Sequence, residues 1–514
     1  MASTVFVHSP NGTIYAYENI SYWDKTEKKT KHKRKCIGHV DATSGEVVPN
    51  HKKGNKEEAL PRAKQNCSVK GVGVSLLLDR IADESGLSKI MRSVFNDDWQ
   101  QIMTCAYYLL SEGAALSRVE QWSSANSTPY QNILTSQRVS DLLVQITGER
   151  QLMFFSRWIN QNHSDEYYAM DITSISSYSE LVDFVRYGYN RDKEKLPQVN
   201  LLMVSGEMSH MPLYFRVIQG SIKDVKTLCE TLGTLDMIDA KVLHAVMDKG
   251  FYSEDNIDAM YDKHIKFIVG VPFTVGYANE HVNMARKENI QSHTNYRRVF
   301  DDEVYVNSGL GNWKGHRCYT HVYYDSLKAE LESRKLDRLL YDCFTELEDG
   351  KAIDSHKPYY KEFFHVKETP KRGRKVEYNQ AAIDAHRENT TGWFVMITND
   401  VKDPVKALEI YRQKDTAEKV FDDLKNDLDG KRLRIHSTQA MEGRLFIQFI
   451  ALILSARIKH VMNEAGWYKN HDMQQVIDEM KSMREVKIDG SRKKIITTPT
   501  AFQDKIIKLF NLNA

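Results

Sequence analysis

Three acidic residues that lie far apart in the 514-residue chain have the chemistry to hold divalent metal ions together. Asp171 ends the apolar segment YYAMD, Asp248 ends LHAVMD, and Glu418 lies in a later charged segment. Carboxylate oxygens are the ligands that Mg²⁺ prefers, and a site with few carboxylates leaves positions for water and phosphate. We therefore expect these residues to form a catalytic site for two Mg²⁺ ions, with Mn²⁺ as a substitute, although isolated aspartates at strand ends are usually turn or capping residues.

A second group of residues is placed by its spacing from Glu418. Tyr411 lies seven residues before it, Lys414 four before and Lys425 seven after, so in one helix of 3.6 residues per turn they share a stripe. A helix that packs only against a core would not carry two ammonium groups and a carboxylate on one face. We expect the lysines to hold DNA phosphates while the carboxylate holds metal. Asp422, one turn later, is an alternative third ligand, and Tyr411 could equally be a core tyrosine.

A sheet must bring the carboxylates together, and the segment that contains the two aspartates has the pattern of one. Extended strands are predicted for EYYAMDITS, for LVDFVRYGYN, for the pair LLMVS and MPLYFRVIQG, for KVLHAVMDKGF and for IKFIVGVP. Helices are predicted for SIKDVKTLCETLGTL and SEDNIDAMYDKH. This order indicates a mixed sheet whose first three strands are antiparallel, as in an RNase H-like core. If the pair is counted as one, the first strand, EYYAMDITS, and the fourth, KVLHAVMDKGF, are neighbours, which places Asp171 beside Asp248.

The fold class that follows is α/β: an RNase H-like mixed sheet flanked by helices and interrupted by a β-containing insertion. The 170 residues from Asp248 to Glu418 leave room for that insertion. An N-terminal β/helical DNA-binding region and a helical C-terminal tail complete the chain. The predicted regions are a small basic β-containing module (1–70), a helical region expected to bind terminal-repeat DNA, the alternative being that it only packs against the core (71–160), the first part of the core (161–273), the insertion (274–390), the second part of the core with one long helix DPVKALEIYRQKDTAEKVFDDLKND (391–462) and a helical C-terminal region (463–514).

Composition excludes several classes of protein. The chain is 41% hydrophobic and 27% charged, which is typical of a globular protein. Its longest nearly apolar run, residues 445–458, contains Gln448 and Arg457 and is too short to span a bilayer, so we predict a buried helix and no membrane partner. The N-terminus lacks a secretion pattern, and the six cysteines contain no C-x-x-C pair. We expect a cytoplasmic protein with reduced thiols.

Positive charge is concentrated in two places although the net charge is only +2. Residues 1–70 hold 13 Lys and Arg against 7 Asp and Glu, with most of the cations in the run from Lys25 to Lys35. The second cluster lies in the predicted insertion. Such runs attract phosphate, yet most of them are merely solvated loops. The basic residues of the second cluster, predicted to bind DNA, are Lys371, Arg372, Arg374 and Lys375.

The three acidic segments together resemble one enzyme family. Tyr411-x2-Lys414-x3-Glu418-x6-Lys425 resembles the Y-(2)-R-(3)-E-(6)-K signature of bacterial insertion-sequence DDE transposases, with lysine in place of the usual arginine at 414. The segments that begin with Asp171-Ile-Thr-Ser and Asp248-Lys-Gly-Phe resemble the first and second aspartate motifs of that family, which more often has arginine after the second aspartate. The resemblance covers about residues 165 to 460 and, more loosely, the N-terminal segment YWDKTEKKTKHKRKCIGHVD.

The resemblance implies a reaction and its partners. Water activated at a two-metal site would nick the transposon end, and the freed 3′-OH would attack in line. In related enzymes with the YREK signature, that hydroxyl first attacks the opposite strand to form a hairpin. The implied partners are double-stranded DNA, both terminal inverted repeats and target, and a second copy of the chain in a homodimer, acting at the bacterial nucleoid. Lys414 would deliver a point charge to phosphate, without the planar fork of arginine.

Further residues are expected to contact DNA on the same basis. Lys249 follows the second aspartate, and Arg434 and His436 lie just beyond the signature helix, where a loop histidine is more often simply exposed. Trp313 lies in the insertion, where related enzymes stack an aromatic ring on a flipped base, but a buried core tryptophan is the commoner case.

Two alternative functions remain open at this stage. One is an RNase H-like endonuclease that cuts DNA without strand transfer. The other is a repurposed copy that binds terminal repeats and cannot cut. The three intact carboxylates argue against the second alternative, and the lysine at position 414 keeps it open.

Overall fold

The chain is described from a computed structural model, which covers residues 2–42, 44–50, 67–179, 182–192, 194–222, 224–238, 244–369, 373–414, 416–435, 437–488 and 494–512. It divides into two compact units. The first comprises Met1–Ser68 with Lys487–Lys493, and the second comprises Val69–Val486 with Lys494–Ala514.

The first unit contains a four-stranded antiparallel sheet in the order β1-β2-β3-β4. Its strands are β1 (Ala2–His8), β2 (Ile14–Asp24), β3 (Lys29–Val40) and β4 (Val47–Pro49). The central pair is the longest, since β2 and β3 are paired from Tyr15 opposite His39 to Asp24 opposite Lys29. Gly12, with a φ of +82°, makes the tight turn between the first two strands.

A short strand and six helices follow, as the apolar spacing in residues 71–160 predicts. The N-caps of α5 and α6 explain where these two helices begin, since the hydroxyls of Thr135 and Thr147 accept the backbone N–H of Arg138 and Arg150. The elements are β5 (Cys67–Gly71), α1 (Gly73–Glu84), α2 (Leu87–Phe95), α3 (Trp99–Glu112), α4 (Val119–Ala125), α5 (Ser136–Gln145) and α6 (Gly148–Asn162).

The centre of the second unit is a large mixed sheet. Its first strands and helices are β6 (Tyr168–Ser177), β7 (Gln198–Gly206), β8 (Pro212–Gln219), α7 (Leu228–Met237), β9 (His244–Met247), α8 (Glu254–Asp262) and β10 (Lys266–Gly270). β6, β7 and β8 are antiparallel neighbours, whereas β9 runs parallel to β6 on its other side and β10 parallel to β9. The expected contact between the first and fourth strands is therefore present.

The expected strand LVDFVRYGYN is wrong for the residues that the structure describes. Residues 182–192 form one isolated bridge, between Arg186 and Gln198, and no extended strand. Val182 and Val185 are buried, but their spacing of three suits the turn in which the Val185 N–H donates to the Val182 carbonyl.

The insertion expected at 274–390 contributes strands to the main sheet. Its elements are α9 (Gly276–Lys287), β11 (Tyr296–Val299), β12 (Asp302–Trp313), β13 (His316–Tyr324), α10 (Ser326–Glu348), α11 (Lys357–Phe363), β14 (Phe364–Thr369), β15 (Gly373–Tyr378) and α12 (Gln380–Thr390). β13 pairs with β16 (Trp393–Thr398), which pairs with β10, so β11, β12 and β13 extend the sheet. The rest of the insertion has its own small core around Leu340 and Phe363.

The expected long helix at 403–427 is divided. It consists of α13 (Pro404–Gln413), α14 (Thr416–Asp422) and a π turn at Asp423–Asp427. Lys414 lies in a turn between the two helices. Because the π turn inserts one residue into the helical register, the expectation of one regular stripe from Tyr411 to Lys425 is wrong.

One long buried helix follows and packs against the sheet and the N-terminal helices. The remaining elements are β17 (Arg432–Leu433), which pairs with β6, α15 (Thr438–Glu464), α16 (Met473–Lys481), β18 (Arg484–Ile488), β19 (Lys494–Ile496) and α17 (Ala501–Leu509). Helix α15 is long and apolar enough to be a candidate membrane span. Its 18-residue apolar stretch has a mean hydropathy of 1.6, but 78% of that stretch is buried inside the protein. Burial of this extent is typical of a core helix.

Helices α3, α5 and α6 share the core that surrounds α15. The rings of Phe154 and Phe446 lie 5.1 Å apart edge to face, and a Cβ at Gly443 would overlap the carbonyl of Leu143. The Trp158 indole N–H donates to the Pro212 carbonyl at 2.9 Å, which joins α6 to β8. These contacts pack the helical region 71–160 against the core.

Candidate active site

The sheet places Asp171 and Asp248 side by side. Met170 of β6 pairs in register with Met247 of β9, and the two strands are parallel. The next residue of each strand is one of the two aspartates. Asp171 is the fourth residue of a ten-residue strand, so it lies within β6 and not at its end as expected, whereas Asp248 directly follows β9.

Asp171 is largely buried and is held by two donors. Its Oδ1 accepts the N–H of Ile172 at 2.8 Å and the guanidinium Nη1 of Arg191 at 3.1 Å. Burial raises the pKa of Asp171 to about 6 against the opposing charges of Arg191 and Lys414, and the carboxylate of Asp248 adds to the rise. Any further positive charge near this carboxyl group would stabilise its charged form.

Asp248 is held by the side chain of Tyr411. The Tyr411 hydroxyl donates to Asp248 Oδ1 at 2.7 Å, and the Tyr411 ring, which is 8% exposed, packs 4.8 Å from the ring of Phe394. A Cβ at Gly270 would lie 3.0 Å from the hydroxyl, so glycine leaves the space that this bond needs. Burial acts to raise the pKa of Asp248, but the bond from Tyr411 and then the charge of Lys414 hold it below its ordinary value. Tyr411 is thus a core tyrosine that also reaches the site.

Glu418 reaches the same site from α14. Asp171, Glu418 and Asp422 line one cleft of about 550 Å³, together with Lys425. Asp248 is not among its lining residues, although its charge acts on Asp171. The cleft therefore joins the first aspartate to the glutamate, and the sheet joins the two aspartates.

The two signature lysines are placed differently. Lys414 Nζ lies 5.0 Å from the centre of the Tyr411 ring. Its charge acts to lower the pKa of both aspartates, against the effect of burial. Lys425 Nζ instead pairs with Asp192 Oδ2 at 2.7 Å, and its side chain is 11% exposed. The expected cationic role fits Lys414 directly, while Lys425 is already paired with a carboxylate.

The loop between β6 and β7 supplies lining residues that the sequence interpretation missed. Arg191, Asp192 and Glu194 line the cleft, and Glu194 Oε1 pairs with Arg432 Nη2 at 3.0 Å. The dense charges of the segment NRDKEK are a signal that could have drawn attention to this loop, since it sits between two apolar strands. No spacing rule connects it to the carboxylates, because the contacts depend on the tertiary fold.

The other expected DNA-binding residues are scattered. Lys249 is exposed beside Asp248, and Arg434 is exposed after β17. On β15 of the insertion, Arg374 donates to the Leu347 carbonyl at 3.0 Å, and Lys375 pairs with Glu377. Three residues, His436, Lys371 and Arg372, lie outside the described part of the chain.

Trp313 is placed as a core residue. Its ring is 9% exposed, and its indole N–H donates to Asp258 Oδ1 at 2.8 Å. The rings of Tyr252 and Tyr277 lie 6.4 and 6.2 Å from it. Stacking on a base requires an uncovered ring face, so this arrangement favours the structural alternative for Trp313.

Comparison with known proteins gives a family and a likeness among solved structures. The family model described as the transposase DDE domain matches residues 162–454, more than half of the chain and all of the residues around the cleft. No curated protein matches the chain. Among solved structures, the chain is similar to the piggyBac transposase in its synaptic complex with hairpin DNA, with 11% sequence identity and a TM-score of 0.36 over 78% of this chain and 70% of that one.

Proposed function

The chain belongs to the family of the transposase DDE domain, and on that basis we propose that it is a cut-and-paste DNA transposase of an insertion sequence. Its substrates are the terminal inverted repeats of its own element and a target duplex. Each element end is cut by hydrolysis of a phosphodiester bond, and the freed 3′-OH is joined to target DNA by transesterification. The active form is a homodimer that holds both ends, acting at the nucleoid in the bacterial cytoplasm.

One observation carries this proposal: the carboxylates of distant segments converge. Asp171 adjoins Asp248 across β6 and β9, and it shares a cleft with Glu418 of α14. These positions are separated by 77 and 170 residues along the chain. Convergence of carboxylates from all three motifs is what a two-metal site requires.

The residues present fit a pair of Mg²⁺ ions. The donor set is carboxylate oxygen, which suits a hard cation, and burial raises the pKa of Asp171 to about 6 despite the charges of Arg191 and Lys414, so a bound cation would stabilise its charged form. Bound there, Mg²⁺ would activate the attacking oxygen and stabilise the leaving oxygen. Asp171, Asp248 and Glu418 would hold the ions, with Mn²⁺ as a substitute.

The protein's own groups then orient the carboxylates and attract phosphate. Tyr411 fixes Asp248 through its hydroxyl. Lys414 adds positive charge beside both aspartates, as a point charge in place of a guanidinium fork. The proposed DNA contacts are Lys414, Lys425, Lys249, Arg434, His436, Lys371, Arg372, Arg374 and Lys375, with Tyr411 acting through Asp248.

The test is a cleavage assay with a matched variant. The full-length protein is incubated with a labelled duplex that carries the terminal repeat and its flanking DNA, together with an unlabelled target duplex and Mg²⁺ or Mn²⁺, and the products are resolved on a denaturing gel. We expect a metal-dependent nick at the repeat boundary that Asp248→Asn abolishes, followed by a product joined to target DNA. A hairpin-sized band would identify the pathway of second-strand cleavage.

The two other functions give different results in the same assay. Nicking without any joined product would identify an RNase H-like endonuclease. Binding of the repeat with no cleavage in either metal would identify a repurposed DNA-binding protein and would contradict the proposed function.

A further inference from the structure

The hairpin of β2 and β3 extends beyond its neighbours in the first unit. β1 pairs with β2 only as far as Ile20, and β4 pairs with β3 only from Gly38 onward. Within the described part of the chain, Ser21–Asp24 and Lys29–His32 therefore pair with each other alone. We call residues 20–35 the β2–β3 arm.

The tip of the arm is ordered by its own side chains. Asp24 Oδ1 accepts the N–H groups of Thr26 and Glu27 at 2.9 and 3.2 Å, and also the Thr26 hydroxyl at 2.6 Å. Lys31 Nζ pairs with Asp24 at 2.7 Å and with Glu27 at 2.6 Å. The bond from Lys31, with those from Thr26 and Glu27, holds the pKa of Asp24 well below its usual range. Because a two-stranded ribbon is marginally stable alone, these bonds keep the arm in register.

Large apolar side chains are exposed on this arm. Ile20 is 46% exposed, Tyr22 49% and Trp23 59%. Successive side chains of a strand point to opposite faces of the sheet, so Ile20 and Tyr22 lie on one face and Trp23 on the other. Aromatic rings on both faces of a protruding ribbon are typical of a binding surface and not of a solvated hairpin.

Positive charge surrounds these side chains. The arm holds seven Lys and Arg against two carboxylates, Asp24 and Glu27, an excess of five. The two carboxylates are bound at the tip by Lys29 and Lys31. Lys33 and Arg34 are exposed, and they lie on opposite faces because they are consecutive in β3. Each face therefore combines an apolar group with a cation.

We propose that the β2–β3 arm enters the major groove of duplex DNA. That groove is about 12 Å wide and admits a two-stranded β-ribbon. Lys33 and Arg34 would contact the phosphates on its two sides, while Ile20, Tyr22 and Trp23 pack against base edges and thymine methyl groups. The proposal rests on the proposed function, since it assigns a DNA contact outside the catalytic unit.

The test measures DNA binding by the full-length protein without metal, so that no cleavage occurs. A fluorescently labelled duplex with the terminal repeat is titrated at several salt concentrations. We expect Lys33→Ala/Arg34→Ala to weaken binding about tenfold and to reduce the salt slope by roughly two, since each neutralised phosphate contributes about 0.9 to it. The matched control is Lys335→Ala/Arg338→Ala, which removes two exposed cations from α10 and should leave both quantities unchanged.

A second variant tests the apolar side chains. Tyr22→Ala/Trp23→Ala should weaken binding with an unchanged salt slope, because it removes no charge. Methylation protection then identifies the groove, since guanine N7 lies in the major groove and adenine N3 in the minor groove. Protection at guanine N7 by the wild-type protein, lost in this variant, supports the arm in the major groove.

The outcomes separate the arm from the catalytic proposal. Equal affinity and salt slope for the arm variants and the control would overturn the arm as a DNA contact, and protection confined to adenine N3 would overturn the groove assignment. Failure of the wild-type protein to cleave with Mg²⁺, while the arm variants still lose binding, would contradict the transposase reaction and support the arm.

Discussion

The two halves of the candidate site are built in different ways. Asp171 and Asp248 lie on paired central strands, and their oxygens accept bonds from Ile172, Arg191 and Tyr411. Glu418 lies instead on a seven-residue helix that is bounded by a turn and by a π turn. The strand half is thus fixed by the sheet and by specific donors, whereas the helix half offers more than one carboxylate to the cleft.

The largest effect should separate the two acidic residues of the helix half. Glu418 and Asp422 both line the cleft. If Glu418 is the third metal ligand, Glu418→Gln should lower the rate of nicking by more than roughly 100-fold, beyond the usual cost of losing a group that only supports a ligand. Asp422→Asn should lower it by less than about tenfold. Single-turnover cleavage of the terminal-repeat duplex measures both.

The reverse order of these two effects would assign the third ligand to Asp422 and would show that the helix break had changed which turn faces the metals. DNA binding without metal serves as the control, because neither amide substitution removes a cation. A loss of binding in either variant would point to misfolding of α14.

The same contrast explains what the sequence could predict. The neighbouring positions of Asp171 and Asp248 follow from the order of strands and helices, which is local information. The division of the signature helix does not, because a π turn leaves the apolar spacing almost intact and depends on tertiary packing, such as the bond from Gln448 Nε2 to the Leu428 carbonyl at 2.7 Å. For the same reason the pairing of Lys425 with Asp192 was not foreseeable.

A smaller effect is expected for the hydroxyl that supports the strand half. Tyr411→Phe removes the bond to Asp248 and keeps the packed ring. Outer partners of metal ligands typically contribute a factor of roughly 10 to 100 in affinity or activity, so the Mg²⁺ concentration for half-maximal cleavage should rise within that range. An unchanged Mg²⁺ requirement would show that the sheet alone fixes Asp248.

The pairing of Lys425 should have a weaker effect still. Asp192→Asn removes the partner of a largely buried ammonium group. The lost ion pair contributes about 1 kcal/mol, which, if it is lost from the transition state, lowers the cleavage rate roughly fivefold. If Asp192 positions Lys425, cleavage should slow while affinity for DNA holds or rises, since one negative charge is lost from the cleft. Faster cleavage would instead show that the pair withholds Lys425 from phosphate. Asp183→Asn, in the same loop and outside the cleft lining, is the control.

The smallest effect on cleavage is expected for Glu207, which directly follows β7. Its Oε1 is buried without a hydrogen-bond partner among the described residues. Burial, with the nearby Glu166 carboxylate, raises the pKa of Glu207 from 4.5 to about 7. The folded state therefore binds this proton more tightly than the unfolded state, so the contribution to stability is complete below pH 4.5 and is lost as the pH rises through 7.

Glu207→Gln should remove that dependence. The variant should unfold at a higher temperature than the wild-type protein at about pH 8, by the equivalent of roughly 1 to 3 kcal/mol, and at nearly the same temperature at about pH 5. Thermal unfolding across this range measures the difference. The cleavage rate at a fixed pH should not change, because Glu207 does not line the cleft. An equal stabilisation at both pH values would mean that the amide gains a partner that the carboxylate lacks, and that the buried charge is not the cause.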